Sequence, residues 1–144
     1  MFGMLIAVMA MSILSCGTAK SGKTAESSPV YQLSEEESLK YNSYFMEAMV
    51  QRQKGNNDAA FDLLRHCVDI NPHAAEAYYF LAQYYGALKN SEKSLGYFKQ
   101  AAMLNPTNET YMETLAQVYI RQQDFQGAID VVERLYEKNK DRED

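Results

Sequence analysis

His66, Cys67 and His73 are the side chains whose types could ligate a transition metal or pair a nucleophile with its base. Metal sites of that kind are usually carried by Cys-x-x-Cys pairs or by a His-Glu-x-x-His helical turn. Neither spacing occurs, and the two histidines stand seven residues apart. No metal and no cofactor are expected. A second candidate is "GTAKSGKT", which satisfies the string of a phosphate-binding loop from Gly17 to Thr24. That loop works when a buried strand precedes it and a helix opens behind it. Here no such strand precedes, so the match reads as coincidence. A nucleophile elbow and a dinucleotide fingerprint are missing, no catalytic constellation emerges, and the chain is not read as an enzyme. The third candidate is "YYFLAQYYG", residues 78 to 86, which suits either a stacking site for a ligand or a packing code.

The elements around these residues are helical. A composition of 47% hydrophobic and 23% charged residues excludes a disordered chain, and 144 residues suffice for one domain. A net charge of −5 argues against a nucleic-acid partner, which favours a basic face. Only three prolines and seven glycines interrupt the chain, and few windows alternate apolar with polar residues. Ser34 followed by Glu37 forms a capping box with acidic residues behind it, so the first helix is predicted from Glu35 to Gln53. Glu35 to Glu37 and the closing "EKNKDRED" read as solvated helix ends.

Residues 1–15 are apolar and uncharged, too short to cross a bilayer as a helix, and of the length of a signal segment. They lead into "ILSCG". This resembles the lipobox of bacterial lipoproteins, with Ser15 in the small position and Cys16 as acceptor. The basic start of such signals is missing. The resemblance implies that acylated Cys16 holds the protein to a lipid bilayer of the cell envelope, facing the periplasm from the inner or outer membrane. Residues 16–33, rich in Gly, Ser, Thr and Lys, then form a flexible tether. Cys16 and Cys67 sit in segments of different character and read as unrelated.

Residues 34–144 repeat. "NP" at Asn71-Pro72 recurs 34 residues later at Asn105-Pro106. On that period the small residues Ala48, Ala82 and Ala116 align, as do Ala60, Ser94 and Ala128. The larger Tyr44, Tyr78 and Met112 align too, as do Leu64, Phe98 and Val132. Small residues let two helices approach and larger ones fill the gaps. The pattern resembles the tetratricopeptide repeat family, with copies at about 41–74, 75–108 and 109–142. The resemblance implies an all-α fold, a right-handed superhelical array of three helix-turn-helix repeats. Turns are predicted at Gly55-Asn56-Asn57, Lys89-Asn90-Ser91 and Gln122-Gln123-Asp124. Cys67 falls where that family uses a small core residue, so it reads as a small buried hydrophobe rather than a reactive thiol. Tyr78, Leu81, Ala82 and Tyr85 share one helical face and are expected on Phe98 and Ala101. Tyr84 is left without a face, with a place between neighbouring repeats open to it.

The resemblance also implies a concave groove for a protein or peptide. By family offsets its residues are Asn42, Phe45, Met49 and Arg52, then Tyr79, Gln83 and Gly86, then Glu113, Gln117, Ile120 and Arg121. Aromatics and methionines suit a protein surface, and the glutamines can bond an extended backbone. The lysines and asparagines with which some relatives grip a chaperone's C-terminal carboxylate are absent apart from Asn42. Helix 3B carries Ile129, Val132, Leu135 and Tyr136, more apolar surface than one neighbour covers, so self-association or further repeats are expected at the C-terminal end. The expected function is a membrane-tethered interaction scaffold. The alternative is an N-terminal structural segment of a longer repeat protein.

Overall fold

The computed structural model describes residues 32–143. The signal-like segment, Cys16 and nearly all of the tether lie outside the described residues. Six helices run through them with no strand among the described residues: α1 (Glu35–Gln53), α2 (Asn57–Ile70), α3 (Ala75–Ala87), α4 (Ser91–Leu104), α5 (Glu109–Arg121) and α6 (Phe125–Glu143). They pair as hairpins α1–α2, α3–α4 and α5–α6, and the hairpins stack through α2 on α3 and α4 on α5. This is the expected superhelical array of three repeats.

Helices α1, α4, α5 and α6 begin where a side chain accepts a free backbone N–H, from Ser34, Asn90, Asn108 and Asp124. Ser34 Oγ accepts from the Glu37 amide at 3.2 Å, and the Glu37 carboxylate takes the Ser34 amide at 2.9 Å. Those bonds hold the Glu37 carboxyl below its ordinary range. One asparagine or aspartate, 34 residues apart, then stands before each B helix. Asn90 Oδ1 accepts from Lys93 N–H at 3.1 Å, and Asp124 Oδ1 accepts from Gly127 N–H at 2.9 Å. Asn56 instead spends its amide on Gln51 Oε1 at 2.7 Å.

The A helices end in one repeated device. Gly55, Lys89 and Gln123 occupy equivalent positions and all turn left-handed, with φ of 80°, 58° and 62°. That turn lets the next amide reach back, from Asn56, Asn90 and Asp124 to the carbonyls of Gln51, Tyr85 and Tyr119, each at 2.9 Å. Only the first repeat uses glycine there. Asn57 and Ser91, expected in turns, already belong to helices.

The B helices end differently. Asn71-Pro72 and Asn105-Pro106 stop α2 and α4, since proline lacks an N–H and its ring clashes with the preceding turn. Lys140 stands at that place in the third repeat, so α6 runs on to 19 residues where α2 and α4 have 14.

The small residues lie at the helix crossings. Ala48 and Ala60, Ala82 and Ser94, and Ala116 and Ala128 are all buried. Ser94 is the polar member, and its Oγ donates to the Ala82 carbonyl at 2.8 Å. Leu64 and Phe98 are buried as expected, but Val132 is 55% exposed because no described helix lies beyond α6 to cover it. Two clusters form the core. One centres on Leu64, Cys67 and Leu81, the other on Phe98, Met112, Leu115 and Val131. Helix α3 joins them, giving Leu81 to the first and Ala82 to the second.

A side chain costs about 1 kcal/mol or more in a left-handed conformation that glycine adopts freely. Lys89→Gly is therefore expected to stabilise the array by about 0.5 kcal/mol and raise its thermal midpoint by about 2 °C or more. A lowered midpoint in a melting experiment would contradict this account of the turn.

Candidate protein-binding groove

The A helices α1, α3 and α5 meet along an aromatic seam. Tyr41 stacks on Phe45 with centroids 5.9 Å apart, and Phe45 meets Phe80 of α3 at 6.1 Å. Phe80 meets Tyr79 at 5.7 Å, and Tyr79 stacks on Tyr111 of α5 at 4.8 Å. Hydrogen bonds stitch the same seam. Tyr41 Oη donates to Glu76 Oε1 at 2.6 Å, and Tyr79 Oη lies 3.4 Å from Thr114 Oγ1. Arg52 Nη2 donates to Gln83 Oε1 at 3.1 Å while its guanidinium sits 4.7 Å from the Phe80 ring centre. Burial, with the Glu76 bond added, pushes the Tyr41 phenol well above its ordinary range. Burial raises the Tyr111 phenol too.

The predicted groove residues divide into two groups on this face. Phe45, Met49, Tyr79 and Gln83 are half-buried between successive A helices and belong to the seam. Asn42, Arg52, Glu113, Gln117 and Ile120, like Arg121, remain exposed. Gly86 departs from its expected place. A Cβ there would come 3.2 Å from Ser94 Oγ, so that position is turned toward α4. Tyr41, Glu76, Phe80, Tyr111 and Thr114 were not anticipated. Their signal is the pair i, i+35, as in Tyr41–Glu76, Phe45–Phe80 and Tyr79–Thr114. Residues one period apart are equivalent, whereas residues one further along are in contact.

The "YYFLAQYYG" stretch is a packing code, though its partners differ from those expected. Leu81 and Ala82 are fully buried. Tyr78 and Tyr85 do not reach Phe98. Both stack on Tyr97 of α4, at 5.6 Å and 5.1 Å, where their half-buried rings stay at the rim of the core. Phe98 points toward α5 and takes the edge of Tyr79 at 5.6 Å. Tyr84 wedges between repeats, edge-on to Phe61 of α2 at 6.0 Å, and its buried hydroxyl has no hydrogen-bond partner. Beside it Arg52, Phe61, Gln83 and Leu88 line a cleft of about 400 Å³.

Of the remaining candidates for chemistry, Cys67 is packed into the array while His66 and His73 stay exposed. Cys67 is fully buried, and burial pushes its thiol up to about 12, which keeps it protonated and unreactive at neutral pH. His66 stacks on Tyr44 with centroids 5.4 Å apart. Among the described residues no three His, Cys, Asp or Glu side chains converge on a metal site, and no helix is long and apolar enough to cross a membrane.

The two tyrosines with contrasting hydroxyls make a test. Tyr41→Phe should cost about 1 kcal/mol, because a bonded hydroxyl is removed from a buried ring. Tyr84→Phe should leave stability unchanged or raise it by up to about 1 kcal/mol, because an unpaired hydroxyl is removed. Urea unfolding of both variants checks this, and a larger loss at Tyr84 would contradict the seam as described.

The tetratricopeptide repeat family matches residues 41–73 and 75–108, which are the first two hairpins. No curated protein sequence matches the chain. Solved structures share its fold. A crystal structure of MamA superposes with a TM-score of 0.62 at 18% identity, over 71% of this chain and 60% of that one. MamA from Desulfovibrio magneticus RS-1 gives 0.61 at 21% identity, over 72% and 59%. A Thermobaculum terrenum O-GlcNAc transferase mutant gives 0.61 at 17% identity, over 73% of this chain but 20% of that one. The chain thus spans less than two thirds of these proteins. The third hairpin, α5–α6, repeats the crossing residues and the left-handed turn of the first two on the same period. With that geometry and those two matches, the chain belongs to the tetratricopeptide repeat family.

Proposed function

We propose that this protein is a non-enzymatic scaffold that holds protein partners beside a bacterial envelope membrane, with acylated Cys16 as its anchor. The observation that carries the scaffold is the face of α1, α3 and α5. Exposed Asn42, Arg52, Glu113, Gln117 and Ile120 ride on a seam of rings and hydrogen bonds that is already assembled. A surface fixed in advance loses little entropy when an extended segment docks on it. The Gln117 amide offers both a donor and an acceptor to a peptide backbone, and Ile120 offers an apolar contact.

The anchor rests on the sequence "ILSCG" after fifteen apolar residues. Two or more acyl chains give stable attachment. Residues 16–33 join that anchor to the array. A Cys16-anchored array of this kind faces the periplasm. Similar lipoproteins serve as assembly factors for pili, outer-membrane proteins or cell-wall enzymes. A second reading, that these repeats only extend a longer array, draws support from the exposed Ile129, Val132 and Tyr136 on α6.

Two measurements test the proposal together. Cells fed labelled palmitate should label the wild type and not Cys16→Ala, and an unlabelled wild type overturns the anchor. A photo-crosslinking residue at Gln117 should trap protein adducts that the same residue at exposed Lys99 of α4 does not. Equal or absent adducts overturn the groove.

A further inference from the structure

The two end faces of the array are apolar. Apart from Leu88, Met103 and Ile120, every large hydrophobic side chain exposed among the described residues lies on α1 or α6. On α1 these are Leu39, Met46 and Val50, on the side turned away from buried Tyr41 and Ala48. On α6 they are Phe125, Ile129, Val132 and Tyr136. Spacings of four and seven residues align each set in one stripe along its helix.

The internal junctions show what such stripes meet. One period beyond Met46 and Val50 stand Phe80 and Tyr84, which pack backwards onto Phe45 and Phe61 of the preceding repeat. Two periods beyond stand Thr114, beside the Tyr79 hydroxyl, and buried Val118. One and two periods before Ile129 and Val132 stand Leu95 with Phe98, and Phe61 with Leu64. These receive the following repeat, and Leu64 and Phe98 are 0% and 5% exposed where Val132 is 55%. Helix α1 therefore carries the backward half of an inter-repeat junction, and α6 carries the forward half. Both halves are apolar, exposed and in the same register.

We propose that this chain binds a second copy of itself head to tail, with the Leu39–Met46–Val50 stripe of one copy seated on the Ile129–Val132–Tyr136 stripe of the next. The partner is a copy because both complementary halves belong to one chain. Val50 stands to Ile129 as Tyr84 stands to Phe61, so the contact continues the internal junctions. Each copy uses two different faces, and a heterologous contact of this kind continues beyond a dimer unless it closes into a ring. The assembly is independent of the concave groove, which it leaves free and multiplies along the stack.

Sedimentation of the full chain over a wide concentration range tests this, in a non-ionic detergent whose density is matched by the solvent. The wild type should grow past a dimer. Met46→Glu and Val132→Glu change exposed residues, so each should keep the helical circular dichroism of the wild type. Each should also need roughly 100-fold more protein to associate, because a charge is forced into an apolar contact. An equimolar mixture of the two should form a one-to-one dimer and stop, since each variant keeps one intact end. A wild type that stays monomeric overturns the proposal and leaves α6 to a further repeat or another protein. Dimerisation that survives Met46→Glu but not Val132→Glu also overturns it, in favour of α6 pairing with α6.

Discussion

Two helices can approach only as closely as the side chains at their crossing allow. In each hairpin that crossing is built from small buried residues, Ala48 with Ala60, Ala82 with Ser94, and Ala116 with Ala128. Close backbones bring the larger neighbours into contact on either side, and burying each of those stabilises the fold by roughly 1.5–3 kcal/mol. Ser94 shows how little room is left. Its hydroxyl is tolerated because the Ala82 carbonyl accepts it at 2.8 Å, and a Cβ at Gly86 would come within 3.2 Å of it.

Helix α3 touches both neighbouring hairpins through its aromatics. Its aromatics split between two sides. Tyr79 and Phe80 join α1 and α5 along the seam, while Tyr84 and Tyr85 meet Phe61 of α2 and Tyr78 and Tyr85 meet Tyr97 of α4. The groove and the core therefore share side chains. Phe45 and Tyr79 cannot be removed from that face without loosening the stack, so in the scaffold proposed above recognition belongs to the polar and aliphatic residues over them. A repeat protein can vary that exposed layer while its seam stays intact.

Much of the architecture was legible in the sequence. The period appears because every hairpin repeats one packing solution, and the bounds of α1 follow from Ser34 and Glu37 at one end and Gly55 at the other. The groove was legible only in part. Family offsets say which residues share a face, but burial on that face depends on contacts 35 apart, which a comparison at 34 does not examine. Helical spacing directs Tyr78 and Tyr85 toward Phe98 but gives a direction without a reach, and Tyr97 lies nearer the rim. Lys89 and Gln123 hid two left-handed turns, since side-chain chemistry does not mark them as glycine marks Gly55. The exposure of Val132 was concealed by its alignment with buried Leu64 and Phe98. Equivalence in a repeat guarantees the same direction and not the same cover.

The most direct measurement of the close-crossing account is the thermal unfolding of Ala82→Leu beside Ala87→Leu, both on α3. Ala82 is fully buried at a crossing and Ala87 is exposed near the helix end. Overpacking at Ala82 should cost about 1–3 kcal/mol, while the exposed substitution should stay within about 0.5 kcal/mol of the wild type. Equal midpoints for the two variants would contradict the account.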